Sequence, residues 1–196
     1  PLYSSAASDV YKRQAYTYDP AGNLILVTLP SGYTLKLTYD AAHRLVGVKD
    51  SLGDRLVYTL NAMGNRVDEK LYDPDGTQVY SHSRIYDALD RLEKDIAAGG
   101  QTTTYGYDAN SNLSSVQDPL GHITQTHYDP LNRRVQTIDA LSGVTNYSYD
   151  PNGYLSQVVT PNGATTNYSH DGFGQILQES SPDRGVTTYT YDPVGN

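Results

Sequence analysis

The sequence predicts an all-β protein made of antiparallel β-hairpin repeats about 21 residues long, and three observations carry that expectation. An acidic or amide residue recurs at Asp19, Asp40, Asn61, Asp87, Asp108, Asp129, Asp150, Asp171 and Asp192, 21 residues apart in every interval except one of 26. Three residues after each stands Gly22, His43, Gly64, Asp90, Ser111, Asn132, Gly153, Gly174 or Gly195, a set dominated by types that tolerate left-handed backbone. Before each, apolar and polar residues alternate, as in Tyr33, Leu35, Leu37, Tyr39 and in Thr145, Tyr147, Tyr149.

Each Asp begins a reversal. Pro follows it directly in Asp19-Pro20, Asp129-Pro130, Asp150-Pro151 and Asp192-Pro193, and with glycine at the fourth position this spells a type I turn capped by the Asp side chain. Seven of the nine Asp-type positions are preceded by Tyr, the exceptions being Leu60 and His170. A second turn lies midway in each unit at Leu29–Gly32, Asp50–Gly53, Asp73–Gly76, Asp118–Gly121 and Thr160–Gly163, with looser versions expected near Ala97, Asp139 and Ser181. The unit is therefore two strands and two turns.

The strand before each Asp carries a ladder of Tyr and β-branched residues on one face. The strand after it carries an aliphatic residue five past the Asp (Leu24, Leu45, Leu92, Leu113, Leu155, Ile176), and often another assigned to the slot eight past it (Val27, Val48, Val116, Ile138, Val158). A spacing of three between the two breaks the alternation of a strand, and either a bulge or one apolar residue on each face would account for it. The five extra residues of the 26-residue interval are expected in loops around Asp68 to Ser83. A propeller is disfavoured because odd and even copies look equivalent, and a parallel β-helix because tight D-P-x-G reversals favour antiparallel pairing.

Composition agrees with a wall rather than a deep core. There are 19 Tyr against one Phe (Phe173), no Trp and one Met (Met63), so nearly every large side chain carries a hydroxyl that needs a partner when covered. A net charge of −8 argues against a nucleic-acid or anionic-membrane partner. No apolar run reaches the roughly 18 to 20 residues of a membrane helix, so no membrane-spanning segment is expected. The chain has no Cys, which removes disulfides and Cys-based zinc sites from consideration.

Residues 4–14, SSAASDVYKRQ, are the in-frame translation of a transposase-based sequencing adapter. Residues 1–14 are accordingly expected to be an adapter-derived leader foreign to the fold, and residues 15–196 a repeat array truncated at both ends.

Candidate chemistry is sparse. His43, His82, His122, His127 and His170 fall in different units with no metal-ligand spacing, and Asp73-x-Asp75-Gly76 lacks the remaining ligands of a calcium loop. The recurrent Asp residues occupy turn slots that need a side-chain cap, which explains them without acid–base chemistry. No catalytic, cofactor-binding or metal residue is predicted, and no cofactor. Arg or Asn recurs four past the Asp (Asn23, Arg44, Asn65, Arg91, Asn112, Arg133), placed to bond the turn's Asp or a carbonyl of the next layer.

The string Tyr18-Asp19-Pro20-Ala21-Gly22-Asn23-Leu24, with its echoes Tyr39-Asp40-Ala41-Ala42-His43-Arg44-Leu45, Tyr86–Leu92 and Tyr149–Leu155, resembles the YD-x-x-G-[RN]-L repeat of the Rhs and YD-repeat family across residues 15–196. Leu60-Asn61, His170-Asp171 and Arg134 depart from it and put the local geometry there in question. The resemblance implies a hairpin ribbon that curves or spirals into a shell, as in bacterial Rhs polymorphic toxins, toxin-complex cocoon subunits and teneurins. In the toxins the shell encloses a C-terminal effector domain. It implies a structural, non-enzymatic segment of a secreted or cell-surface protein, partnered by flanking repeats and an enclosed effector. The family's autoproteolytic motif is not recognisable, so no catalytic residue carries over. The alternative is an adhesin or wall-associated repeat protein, in which exposed Tyr and Asn stack on surface carbohydrate.

Overall fold

The computed structural model describes residues 14–192, 194 and 195. The expected leader thus lies, apart from Gln14, outside the described residues. Two compact units divide at Thr102/Thr103.

The first unit contains β1 (Ala15–Tyr18), β2 (Leu24–Thr28), β3 (Thr34–Tyr39), β4 (Leu45–Asp50), β5 (Arg55–Leu60), β6 (Arg66–Tyr72), β7 (Gln78–Tyr86) and β8 (Leu92–Ile96). The second contains β9 (Thr102–Tyr107, its first residue at the division), β10 (Leu113–Gln117), β11 (Ile123–Tyr128), β12 (Arg134–Ile138), β13 (Val144–Tyr149), β14 (Leu155–Val159), β15 (Thr165–His170), β16 (Ile176–Ser181) and β17 (Gly185–Thr188). Within each unit every strand pairs antiparallel with its sequence neighbours, from β1–β2 to β7–β8 and from β9–β10 to β16–β17. The fold is all-β, built of antiparallel hairpin repeats, with no helix among the described residues.

Both sets of turns share one backbone pattern, apart from the midway turn at Ser181, where Ser181 pairs directly with Gly185. The Gly22 N–H donates to the Asp19 carbonyl at 3.0 Å and the Asp19 N–H to the Asn23 carbonyl at 2.9 Å, and the same pair of bonds closes Leu29–Tyr33. This is a type I turn followed by a left-handed residue. The fourth turn residue has positive φ even where it is not glycine, at His43 (61°), Asp90 (64°), Ser111 (67°) and Asn132 (60°). The turns at Ala97 and Asp139, expected to be looser, are closed by the same bonds.

A bulge follows each Tyr-Asp turn. In β1–β2 Tyr18 faces Leu24 but Thr17 faces Leu26, so Ile25 is the extra residue, and the shift recurs in β3–β4, β5–β6, β7–β8, β9–β10, β11–β12, β13–β14 and β15–β16. The extra residue resets the alternation. Leu24 stands opposite Tyr18 and Val27 opposite Tyr16, so residues three apart share the tyrosine face. Of the two accounts left open by the spacing, the structure takes the bulge. Ile138 does not belong to the series: it lies one position further on, faces Gln125, and points to the opposite side, while Thr137 fills the slot.

The five extra residues are not in loops. They lengthen β6 to 7 and β7 to 9 residues, against 5 and 6 in β14 and β15, and a second bulge between Leu71 and Tyr72 absorbs the odd residue at Val79. Extending a paired hairpin keeps its backbone groups bonded, which a loop would not. The departures at Leu60, Arg134 and His170 leave the geometry unchanged, since Leu60 still faces Arg66, Tyr128 faces Arg134 and His170 faces Ile176.

The core is correspondingly thin. Among the described residues Tyr58, 9% exposed, is the buried large side chain, and the rest of the tyrosine face is mostly half-buried. In the slot held by Val27, Val48, Val116 and Val158, Thr137 keeps a covered hydroxyl with no hydrogen-bond partner. We expect Thr137→Val, which preserves shape and removes that hydroxyl, to raise stability by about 1 kcal/mol. Denaturant unfolding checks this, and a loss of stability would show that the hydroxyl has a role.

Candidate functional site: aspartate turns and tyrosine clasps

The side chains that recur in every unit converge on the Tyr-Asp turns. Asp19 Oδ1 accepts from the Ala21 N–H at 2.9 Å and the Asn23 N–H at 2.8 Å, and Oδ2 accepts from the Asn23 amide at 2.8 Å. Asp40 repeats this with Ala42 and Arg44, whose Nε donates to Oδ2 at 2.7 Å, as Asp87 does with Arg91 and Asp129 with Arg133. The residue four past the Asp therefore bonds its own turn's carboxylate.

It also reaches the next turn. Arg44 Nη1 donates to the Asn61 carbonyl at 3.4 Å, the Asn23 amide lies 2.9 Å from His43 Nδ1, and the Asn65 amide donates to Asp90 at 2.5 Å. In the second unit the Asn112 amide donates to Asn132 at 2.8 Å. Both partners anticipated for this position are realised, joining successive turns into a row.

These donors act on the carboxyl groups. The Asn23 side chain holds Asp19 below the ordinary carboxylate value, and the backbone N–H and guanidinium of Arg44 do so for Asp40. Arg91 lowers Asp87 chiefly through its side chain, and Arg133 lowers Asp129 chiefly through its backbone N–H. In the midway turns the Tyr33 hydroxyl lowers Asp50 and His122 lowers Asp118.

The hydroxyl of the tyrosine before the Asp closes a second link. Tyr39 donates to the Leu24 carbonyl at 2.9 Å, Tyr128 to Leu113 at 3.0 Å, Tyr149 to Arg134 at 2.8 Å and Tyr191 to Ile176 at 2.9 Å. Each acceptor is the residue five past the preceding Asp, beside the bulge. The tyrosine of one unit thus clasps the bulge of the unit before. Guanidinium groups cover several rings: Arg66 over Tyr58 at 3.8 Å, Arg134 over Tyr147 at 4.2 Å and Arg133 over Tyr149 at 4.5 Å.

The histidines are not brought together. His43 and His122 sit in turns, His127 is exposed on β11, and His170 takes the tyrosine slot, its ring 5.3 Å from Tyr154 and its Nδ1 covered without a partner. Asp73 and Asp75 both accept from the Thr77 N–H, at 2.9 and 2.8 Å; Asp75 pushes Asp73 up, and the Thr77 hydroxyl holds Asp75 down. Among the described residues no group of three or more His, Cys, Asp or Glu is arranged to hold a metal ion.

One cluster was not anticipated. On the tyrosine face His82 Nε2 lies 2.5 Å from Asp95, Arg84 donates to His82 Nδ1 at 3.1 Å, and Glu69 stands opposite His82. Asp95 and Glu69 each occupy the slot eight past the turn residue that Val27 holds elsewhere, which was the available signal. Both ring nitrogens of His82 are thus engaged within the cluster.

Residues 59–196 match the family model Teneurin YD-shell, and residues 18–55 and 39–78 match RHS Repeat. A curated relative, double-stranded DNA deaminase toxin A of Burkholderia cenocepacia (strain H111), is 28% identical over 113 residues, 58% of this chain and 8% of that protein. Among solved structures, the TcdB2-TccC3-Cdc42 crystal structure is similar with a TM-score of 0.57 and 15% identity, over 96% of this chain and 13% of that one. A Photorhabdus luminescens Tc holotoxin pore carrying TccC3-D651A gives the same TM-score and identity, over 96% and 12%. At that identity the likeness is one of fold, and this chain spans a small part of each.

We expect Tyr39→Phe and Tyr149→Phe each to lower stability by about 1 kcal/mol, as one hydroxyl bond is lost, with denaturant midpoints as the measure. The depressed carboxyl groups stabilise the fold above their unfolded value near 3.8, and that contribution is lost as pH falls through their lower folded values. Asp73, which is raised, runs the other way. The melting temperature should be level at neutral pH and fall steeply below about pH 4, a dependence that Asp40→Asn with Asp129→Asn should weaken.

Proposed function

The chain belongs to the Rhs/YD-repeat family, and from that premise we propose that it is a wall segment of a hollow shell enclosing a C-terminal toxin domain of the same full-length protein. The observation that carries this reading is the commitment of the recurrent polar groups to neighbouring units. Turn carboxylates cap backbone, tyrosine hydroxyls clasp the preceding bulge, and Asn or Arg ties turn to turn. Such a unit extends by repetition and carries no chemistry of its own.

The name of the Burkholderia relative supports a toxin as passenger, and the TccC3-containing complexes support a shell as fold. The segment itself is non-enzymatic in this reading, and the protein is secreted or displayed on the surface. Flanking repeats are its other partners: Tyr16 and Tyr18 of β1 are 51% and 57% exposed, and a further hairpin beside β1 would cover them.

The test is limited proteolysis of the full-length protein beside its isolated C-terminal domain. Within the shell that domain should resist protease under native conditions and become sensitive only when denaturant opens the repeats. Digestion at the rate of the isolated domain would overturn the proposal.

A further inference from the structure

We propose that the face of the first unit opposite the tyrosines is a docking surface for a short acidic peptide segment of a partner protein, held by Lys36, Lys49 and Arg55. Lys36 lies directly opposite Lys49, and Lys49 directly opposite Arg55, so three cations line up across β3, β4 and β5. At a strand spacing of about 4.8 Å the row spans roughly 10 Å. All three side chains are exposed.

The row is not what stability alone would choose. Like charges directly opposite one another destabilise a sheet. Among the described residues neither Lys36 nor Lys49 has an ion-pair partner, although the chain has 22 acidic residues against 14 basic ones. These are interior strands, each paired on both sides, so the lysines do not protect an edge. The four lysines among the described residues all fall on this face, with Lys70 and Lys94 further along it. Arg55 is steadied by stacking on Tyr72 at 4.4 Å, which fixes one end of the row.

The surroundings choose the ligand's size. Asp19 and Asp40 mark the turns at one end of these strands, and Asp50 and Asp73 those at the other. A long polyanion such as a nucleic-acid duplex, with one charge per about 1.7 Å of axis, would overlap these carboxylates. Two or three carboxylates of an extended peptide, laid across the strands, match the roughly 10 Å row and need reach no further. Exposed aromatic rings for base stacking are absent from the row, Tyr72 being covered by Arg55. The surface does not depend on whether the array encloses a passenger.

The experiment titrates the whole chain into a fluorescein-labelled hexaglutamate peptide, with a duplex oligonucleotide in parallel, and reads anisotropy. We expect peptide binding that weakens as salt is raised. Lys36→Gln with Lys49→Gln should reduce affinity about tenfold or more, while the melting temperature stays level or rises as the like charges are relieved. Lys94→Gln, which removes a lysine paired with Glu93 at 3.9 Å, should leave affinity unchanged. Binding insensitive to salt, equal binding by the double variant, or tighter binding of the oligonucleotide than of the peptide would each overturn the proposal. The salt dependence is read on the unaltered chain and stands whether or not the variant folds.

Discussion

A sheet one layer thick has no second layer to cover its large side chains, so each must find cover and hydrogen bonds in the neighbouring hairpin. The bulge after every Tyr-Asp turn makes this arrangement work. Without it, residues five and eight past the Asp would fall on opposite faces. With Ile25 set out of register, Leu24 and Val27 join Tyr16 and Tyr18 on one side. The bulge also leaves a carbonyl within reach of the next unit's tyrosine, and Tyr39 takes it at 2.9 Å. The preference for Tyr over Phe follows: the ring supplies apolar area and the hydroxyl satisfies a main-chain acceptor that irregular pairing exposes.

The division between backbone and side-chain roles explains which departures are tolerated. Turn and bulge are set by the Asp-type residue, whose side chain accepts two N–H bonds, and by a residue that can adopt positive φ. The slot before the Asp contributes area and a clasp, but does not set register. Leu60 and His170 therefore lose the hydroxyl while pairing as Tyr does. His170 shows the local cost, with its Nδ1 covered and unpartnered. Arg134 instead lays its guanidinium over Tyr147 and offers its carbonyl to Tyr149, so a charged residue serves in an aliphatic slot.

What the sequence revealed tracks how local each feature is. Turns were legible because four adjacent residues and their side-chain cap determine them, and the repeat made nine imperfect signals agree. The bulge was half legible, as a spacing of three that no regular strand explains. Ile138 stands nine past Asp129, one beyond the slot that Thr137 fills, and the register accordingly puts it on the other face. The insertion was misread because a loop and a longer hairpin look alike in composition; pairing of Asp68 with Ser83 and Glu69 with His82 shows that main-chain bonding prevailed. The links between turns, such as Asn65 to Asp90 across 25 positions, depend on strand adjacency that no local pattern contains.

The same logic assigns different tasks to the two faces. The tyrosine face must match from unit to unit, because clasp, ring and aliphatic slot are contributed by different hairpins. The opposite face carries no such obligation, and its composition is free to vary. In the first unit it bears the Lys36–Lys49–Arg55 row. In the second it bears amides, with Gln136 bonded to Asn146 and Gln157 to Asn167, both at 2.9 Å. Exposed cross-strand pairs change stability by only about 1 kcal/mol or less, unfavourably for the like charges and favourably for the amides, so neither composition is imposed by folding. A surface that folding leaves free is one on which recognition can be written without disturbing the wall that carries it. In a repeat whose other polar groups are held by neighbours, that is where contact with other molecules is to be sought.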